Sequence, residues 1–207
     1  MKLVPSGWLF AQDVDCARWS SLSLSLSDSE ARSGRHASDT ITVLESDDPE
    51  RIAAVYDCAV DLLERYRVFP ASRMRATVCS GSGRIEPGAT IVQRIAVGPM
   101  GFEAAVRVLG TEHRDGGEGP SYAFEYATLD GHPEQGIARF AVRRTGAGPH
   151  RVDFTIESWS VPGHWLSAAV APFTVWMQRR STLQALSAFR AAVQAEASAA
   201  SPQGLPG

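Results

Sequence analysis

The sequence predicts an α+β helix-grip domain: a curved antiparallel sheet of about seven strands wrapped around a long C-terminal helix, with an internal cavity. Three observations predict it. Apolar residues recur with period two in six successive segments between Met74 and Ser160, and the gaps between those segments carry glycine-containing turn chemistry. The chain then returns to a helical period from about His164 to Ala199. A sheet with one apolar face must cover it, and the terminal helix is the longest element available to do so. A strongly twisted sheet around a helix leaves space between the two, and that space is the expected cavity.

Residues 1–40 read as an N-terminal extension, partly flexible. Trp8, Leu9 and Phe10 suit a short strand or a docking plug. Leu22, Leu24 and Leu26 alternate with serine and suit an edge strand, and the Ser/Gly/Arg composition of 28–40 reads as a flexible connection. The helix-grip domain is assigned to 41–199, opening on the β-branched strand ITVLE. A helix follows, with Asp48 as N-cap, Pro49 at its first position and Glu50 in its first turn. Ile52, Val55, Tyr56, Ala59, Leu62, Leu63 and Tyr66 form its apolar face, and Pro70 ends it.

Strands are expected at about 74–79, 89–97, 102–113, 121–129, 137–144 and 151–160. Their short links make neighbours antiparallel, so the six form a meander. The last helix carries Leu166, Val170, Phe173, Met177, Leu183, Leu186, Phe189 and Val193, with Pro172 kinking it or starting its main segment. Residues 200–207 read as a disordered tail.

Charge and composition exclude several functions. Across 207 residues the net charge is -3, without the basic stripe that a nucleic-acid partner requires. No segment has the apolar length to span a bilayer, and Pro5, Gly7, Gln12 and Asp13 interrupt the first apolar run, so a cytoplasmic location is expected. Cys16, Cys58 and Cys79 are odd in number and widely spaced. That spacing argues against a disulfide framework and for separate thiols. A site from His132, Glu134 and His164 lacks any metal-ligand spacing, so no metal and no cofactor are expected. The loop SGSGRIEPG is glycine-rich but joins two strands and matches no nucleotide fingerprint.

Phe124, Tyr126, Thr128, Leu129, Gly131, His132, Glu134, Gly136 and Phe140 form a block that resembles the DUF1990 family, grouped with the Bet v 1-like (START-like) superfamily. Ser160, Pro162, Pro172 and Gln178 extend the resemblance, which covers roughly 50–190. The chain departs from the family pattern at Ala127, Asp130, Ile137 and Ala138, and no arginine stands at Thr174–Trp176. The resemblance implies a helix-grip fold. The superfamily it points to includes ligand carriers, lipid-transfer proteins and polyketide aromatases and cyclases, whereas the family itself supplies little chemistry.

In a meander, alternate links emerge at one end of the sheet. The links at 98–101, 130–136 and 161–165 therefore share an end, which brings His132, Glu134, His164 and Trp165 towards one mouth. Histidine titrates near neutral pH and a carboxylate beside it raises its basicity, so these residues form a candidate acid/base cluster. The alternative is a tight turn in which His132 hydrogen-bonds the backbone. Tyr122, Phe124, Tyr126 and Thr128 share the more apolar face of their strand, with Tyr126 as the preferred polar group of the cavity. In ATIVQRIAV either Gln93 or Arg94 must point inward, and Arg94 is taken as a ligand contact with Glu125 or a ligand carboxylate as its counter-ion. The expected catalytic residues are thus His132, Glu134 and Tyr126. The expected ligand contacts are Arg94, Phe124, Thr128, Trp159, His164, Trp165 and Phe173. The partner is a small, largely apolar molecule. Its expected fate is an acid/base-assisted cyclisation, dehydration or isomerisation in polyketide-type secondary metabolism; the alternatives are a carrier or sensor that performs no chemistry, and a partner-docking protein with no usable cavity.

Overall fold

The computed structural model describes residues 4–11, 13–116, 119–145, 150–161 and 171–200, and for 171–181 and 200 it describes the backbone alone. The elements are β1 (Val4–Pro5), α1 (Ser6–Ala11), α2 (Cys16–Ser20), α3 (Asp28–Arg32), β2 (Arg35–Ser46), α4 (Pro49–Glu64), β3 (Met74–Cys79), β4 (Thr90–Val97), β5 (Met100–Arg114), β6 (Ser121–Thr128), β7 (Gln135–Thr145), β8 (His150–Val161) and α5 (Ala171–Ala200). The sheet order is β2-β8-β7-β6-β5-β4-β3, with β1 added to the start of β5. Strands β3 to β8 form the expected meander, and β2 closes the far edge against β8. The Asp48 side chain accepts hydrogen bonds from the Glu50 and Arg51 amides, so α4 starts on its predicted cap. Pro172 stands at the second described position of α5.

Two helices, not one, fill the concave face. Ile52, Val55, Leu62 and Leu63 of α4 pack with Leu186, Phe189 and Val193 of α5 against Val106, Tyr122, Phe124, Phe140, Val152 and Phe154. Phe189 sits 4.1 Å from Phe154 between ring centroids, and the Gln194 amide donates to the Val43 carbonyl at 2.7 Å. Leu183 departs from the expected apolar stripe: it is 49% exposed. Leu166 and Val170 lie outside the described residues.

The N-terminal segment covers the convex face. Trp19 packs on Val92, Ala105 and Leu129, while Ala31 packs on Ala127 and Ile137. Arg107 fastens the segment by donating to the Ser20 and Leu22 carbonyls. The Leu22–Leu26 stretch is not an edge strand; Leu24 makes one isolated bridge, to Leu129. Nor is 28–40 a flexible connection. Ser27 and Glu30 form a reciprocal capping box that starts α3, a local signal that composition overlooks, and β2 already runs from Arg35.

The cysteines are not three separate thiols. Cys16 and Cys79 form a disulfide that ties α2 to the end of β3, leaving Cys58 as the free thiol. Spacing along the chain could not show this, because docking of the N-terminal segment on the sheet is what brings the two sulfurs together. Among the described residues, no helix is long and apolar enough to cross a membrane.

Candidate functional site

A cavity of about 250 Å³ lies at the end of the concave face nearest the β6–β7 link. Its origin can be traced along β7 and β8. Gly136 stands opposite Ser160 and Ala138 opposite Ser158, then Phe140 opposite Ile156 and Val142 opposite Phe154. Side chains grow from the mouth inward, so volume is left at the mouth and filled beyond Phe140. The remaining wall comes from Phe69, Met74, Gln93, Ile95 and Phe102. Gly136 itself admits no side chain, because a Cβ there would meet the Trp159 carbonyl oxygen at 2.0 Å.

Tyr126 lines this cavity. Burial raises its pKa, so the phenol stays protonated and acts as a hydrogen-bond donor; hydrogen bonding from Tyr66 and Gln93 works in the opposite, smaller sense. Gln93 donates from Nε2 to the Tyr66 hydroxyl at 2.7 Å, and the Tyr66 ring meets Tyr126 edge-on at 6.2 Å. Burial also pushes Tyr66 well above the usual tyrosine range. Gln93 is the inward polar residue of β4, which settles the choice between it and its neighbour.

Arg94 points to the other face, where its Nε donates to Glu103 at 2.9 Å; its Nη2 is buried without a hydrogen-bond partner. Glu125, the counter-ion suggested for it, is bonded to Arg32 at 2.5 Å instead. β4 is apolar on both faces because the N-terminal segment buries the convex one, so alternation alone could not assign its polar pair.

His132 and Glu134 both line the mouth. The His132 Nδ1 lies 2.6 Å from the Glu134 carbonyl oxygen and accepts from the Glu134 amide at 3.0 Å when unprotonated. Burial lowers its pKa to about 4, so the imidazole is neutral at physiological pH and a weak base. The expectation that a carboxylate would raise its basicity fails here, because its close neighbour is the backbone of Glu134. Thr128 lines the cavity too, but its hydroxyl is engaged by the Gly136 amide at 3.0 Å and by Ser25 at 2.5 Å.

Phe124 does not line the cavity: it stands opposite Phe140 and stacks on it at 5.1 Å, and Phe140 takes the lining position. Trp159 borders the mouth, yet its ring stacks on His36 at 4.7 Å beneath the Arg32 guanidinium. His164 and Trp165 lie outside the described residues, and of Phe173 only the backbone is described. A second depression of about 320 Å³ opens between α4 and the β5–β6 link, but Asp61 and Glu64 there are already paired with Arg84.

The family model for DUF1990, a domain of unknown function, matches residues 34–188. The chain belongs to the DUF1990 family. No curated protein matches it. Solved structures resemble this chain in fold at low identity. TTHA0849 from Thermus thermophilus matches at 12% identity and a TM-score of 0.50, over 81% of this chain and 100% of that one. Norcoclaurine synthase from Thalictrum flavum, solved with dopamine and hydroxybenzaldehyde, is 13% identical with a TM-score of 0.49, covering 88% and 98%. The ZhuI aromatase/cyclase from Streptomyces sp. R1128 is 16% identical with a TM-score of 0.47, covering 79% and 93%. At this identity the likeness to TTHA0849 shows the fold alone.

In the sequence of this DUF1990 member Tyr126 stands out on its strand, whereas Tyr66 reads as the last apolar residue of α4. The missed signal lies in the stretch ERYRVFP, which has no glycine where the helix ends.

Proposed function

We propose that the chain binds a small, largely apolar organic molecule in this cavity and promotes an acid/base-assisted cyclisation, dehydration or isomerisation of polyketide-type secondary metabolism. Tyr126 carries the reading: a phenol held protonated by burial, lining an apolar cavity beside the carboxylate of Glu134. On a ketone ligand, Glu134 takes the proton from the carbon next to the carbonyl. The C–H electron pair becomes the enolate double bond, and the Tyr126 hydroxyl holds the oxyanion. Returning the proton to a different carbon is isomerisation. Attack of the enolate carbon on a second carbonyl is cyclisation, and subsequent loss of water is dehydration. Glu134 is regenerated in each case. His132 serves as a neutral brace for the mouth loop.

One observation favours the alternative of a carrier or sensor: the low basicity of His132 removes one of the groups that a proton-transfer site would use. Mass spectrometry of organic extracts from protein purified from its native host identifies the ligand and separates the two readings. Conversion of that compound by wild type but not by Tyr126→Phe or Glu134→Gln supports the enzyme. Binding without conversion supports the carrier, and an empty protein that binds no apolar compound overturns both.

A further inference from the structure

Tyr66 occupies a backbone position that favours glycine. The helix α4 ends in a Schellman motif: the Tyr66 amide donates to the Leu63 carbonyl and the Arg67 amide to the Leu62 carbonyl, each at 2.9 Å. Tyr66 is the residue after the C-cap, with φ of 54°, in the left-handed region. A side chain there costs about 1 kcal/mol or more compared with glycine. It is the one described residue other than glycine with positive φ. Strain of this kind persists where the rest of the structure, or function, requires the side chain.

What the side chain does follows from its neighbours. The ring packs edge-on against Phe124, Tyr126 and Phe140, and its hydroxyl accepts the Gln93 amide proton at 2.7 Å. Gln93 Nε2 has donors only, so Tyr66 must accept from it and keeps its own proton to give. Tyr126, whose ring meets that of Tyr66 edge-on at 6.2 Å and which lines the cavity, is its polar neighbour on that side. A phenol that accepts from Tyr66 turns its own hydrogen towards the cavity. The donors then run one way, from the interior to the ligand. The described lining includes no arginine or lysine and its charged group is Glu134, so among the described residues an anionic ligand meets a like charge and no counter-ion. The walls are Phe69, Phe102 and Phe140 with Ile95 and Ile156. At about 250 Å³ the volume lies below the roughly 300–1,000 Å³ of drug-sized sites.

We propose that Gln93, Tyr66 and Tyr126 form a one-way hydrogen-bond relay that makes the cavity select a neutral one- or two-ring molecule bearing a carbonyl oxygen over a hydrocarbon of the same shape. This rests on the ligand-binding reading above and narrows its substrate class. Tyr126 touches the ligand, while Tyr66 and Gln93 are positioning residues.

Ligand-observed NMR titrations of the full chain with 1-tetralone, tetralin and 1-naphthoate test it. The first two share a bicyclic frame and differ by the carbonyl; the third replaces the neutral oxygen with a carboxylate. Wild type binds 1-tetralone at least about tenfold more tightly than tetralin, because an unmatched buried donor is costly, and 1-naphthoate more weakly than 1-tetralone. Tyr126→Phe brings the tetralone-to-tetralin ratio to about one. Tyr66→Phe lowers it severalfold while tetralin affinity holds, a result that loss of packing would not produce. Equal binding of tetralone and tetralin by wild type, or an unchanged ratio in Tyr126→Phe, overturns the relay but leaves a binding cavity. Tighter binding of 1-naphthoate than of 1-tetralone overturns the neutral-ligand selectivity. Failure of wild type to bind any of the three overturns the cavity reading and the relay with it.

Discussion

The concave face of the sheet is filled at one end and hollow at the other, although the same strands and the same alternation build both. At the filled end Val142 stands opposite Phe154, and Phe189 of α5 closes on Phe154 at 4.1 Å. At the hollow end the opposite pairs are Ala138 with Ser158 and Gly136 with Ser160. What separates a core from a cavity here is side-chain size at fixed register. The polar groups follow the same division. Gln93, Tyr66 and Tyr126 gather where the volume is, while the filled end is hydrocarbon, apart from the buried and unpartnered Tyr122 hydroxyl.

Breaking the filled end has the largest effect. Phe154→Ala removes a fully buried ring from the contact with Phe189 and costs about 3–5 kcal/mol, read from urea unfolding. On the convex face, Cys16→Ser opens a disulfide that spans a separation of 63 residues and costs about 2–4 kcal/mol. A thiol titration of the denatured, unreduced wild type then finds one free cysteine, and finding three removes the crosslink.

The mouth of the hollow end has a pH signature. The unfolded His132 imidazole titrates near 6.5 and the folded one near 4. Between those values the unfolded chain binds more protons, so the His132 contribution is complete above pH 6.5 and is lost as pH falls towards 4. At full extent it is worth about 3 kcal/mol. His132→Asn therefore flattens the acid limb of the stability–pH curve, and an unchanged limb refutes the buried neutral imidazole. The smallest stability effect belongs to Ala138→Leu, which puts bulk into the cavity instead of the core. Stability changes by less than about 1.5 kcal/mol, while affinity for 1-tetralone falls at least about tenfold. A loss of stability as large as that of Phe154→Ala would mean that the two ends are equally packed.

Much of the architecture is legible locally. The six meander strands follow from period-two alternation between glycine-bearing links, and α4 follows from Asp48, Pro49 and Glu50. The candidate site was legible in part. Tyr126 stands on the apolar face of its strand, and either Gln93 or Arg94 had to turn inward. Tyr66 was hidden because a tyrosine in register with an apolar helix face looks like core until its backbone angle is known. His132 was placed at the right end of the sheet, but its basicity depends on burial, which the order of residues does not reveal.

Sequence by itself determined the strands, the first long helix and the size gradient from Gly136 to Val142, because each depends on residues a few positions apart. Tertiary structure alone decided which face of β4 holds Arg94, the pairing of Cys16 with Cys79, and the division of the concave face between α4 and α5. It also decided that Tyr66 reaches Gln93. These outcomes depend on which surfaces far apart in the chain come into contact, and a cavity is the volume such surfaces leave between them.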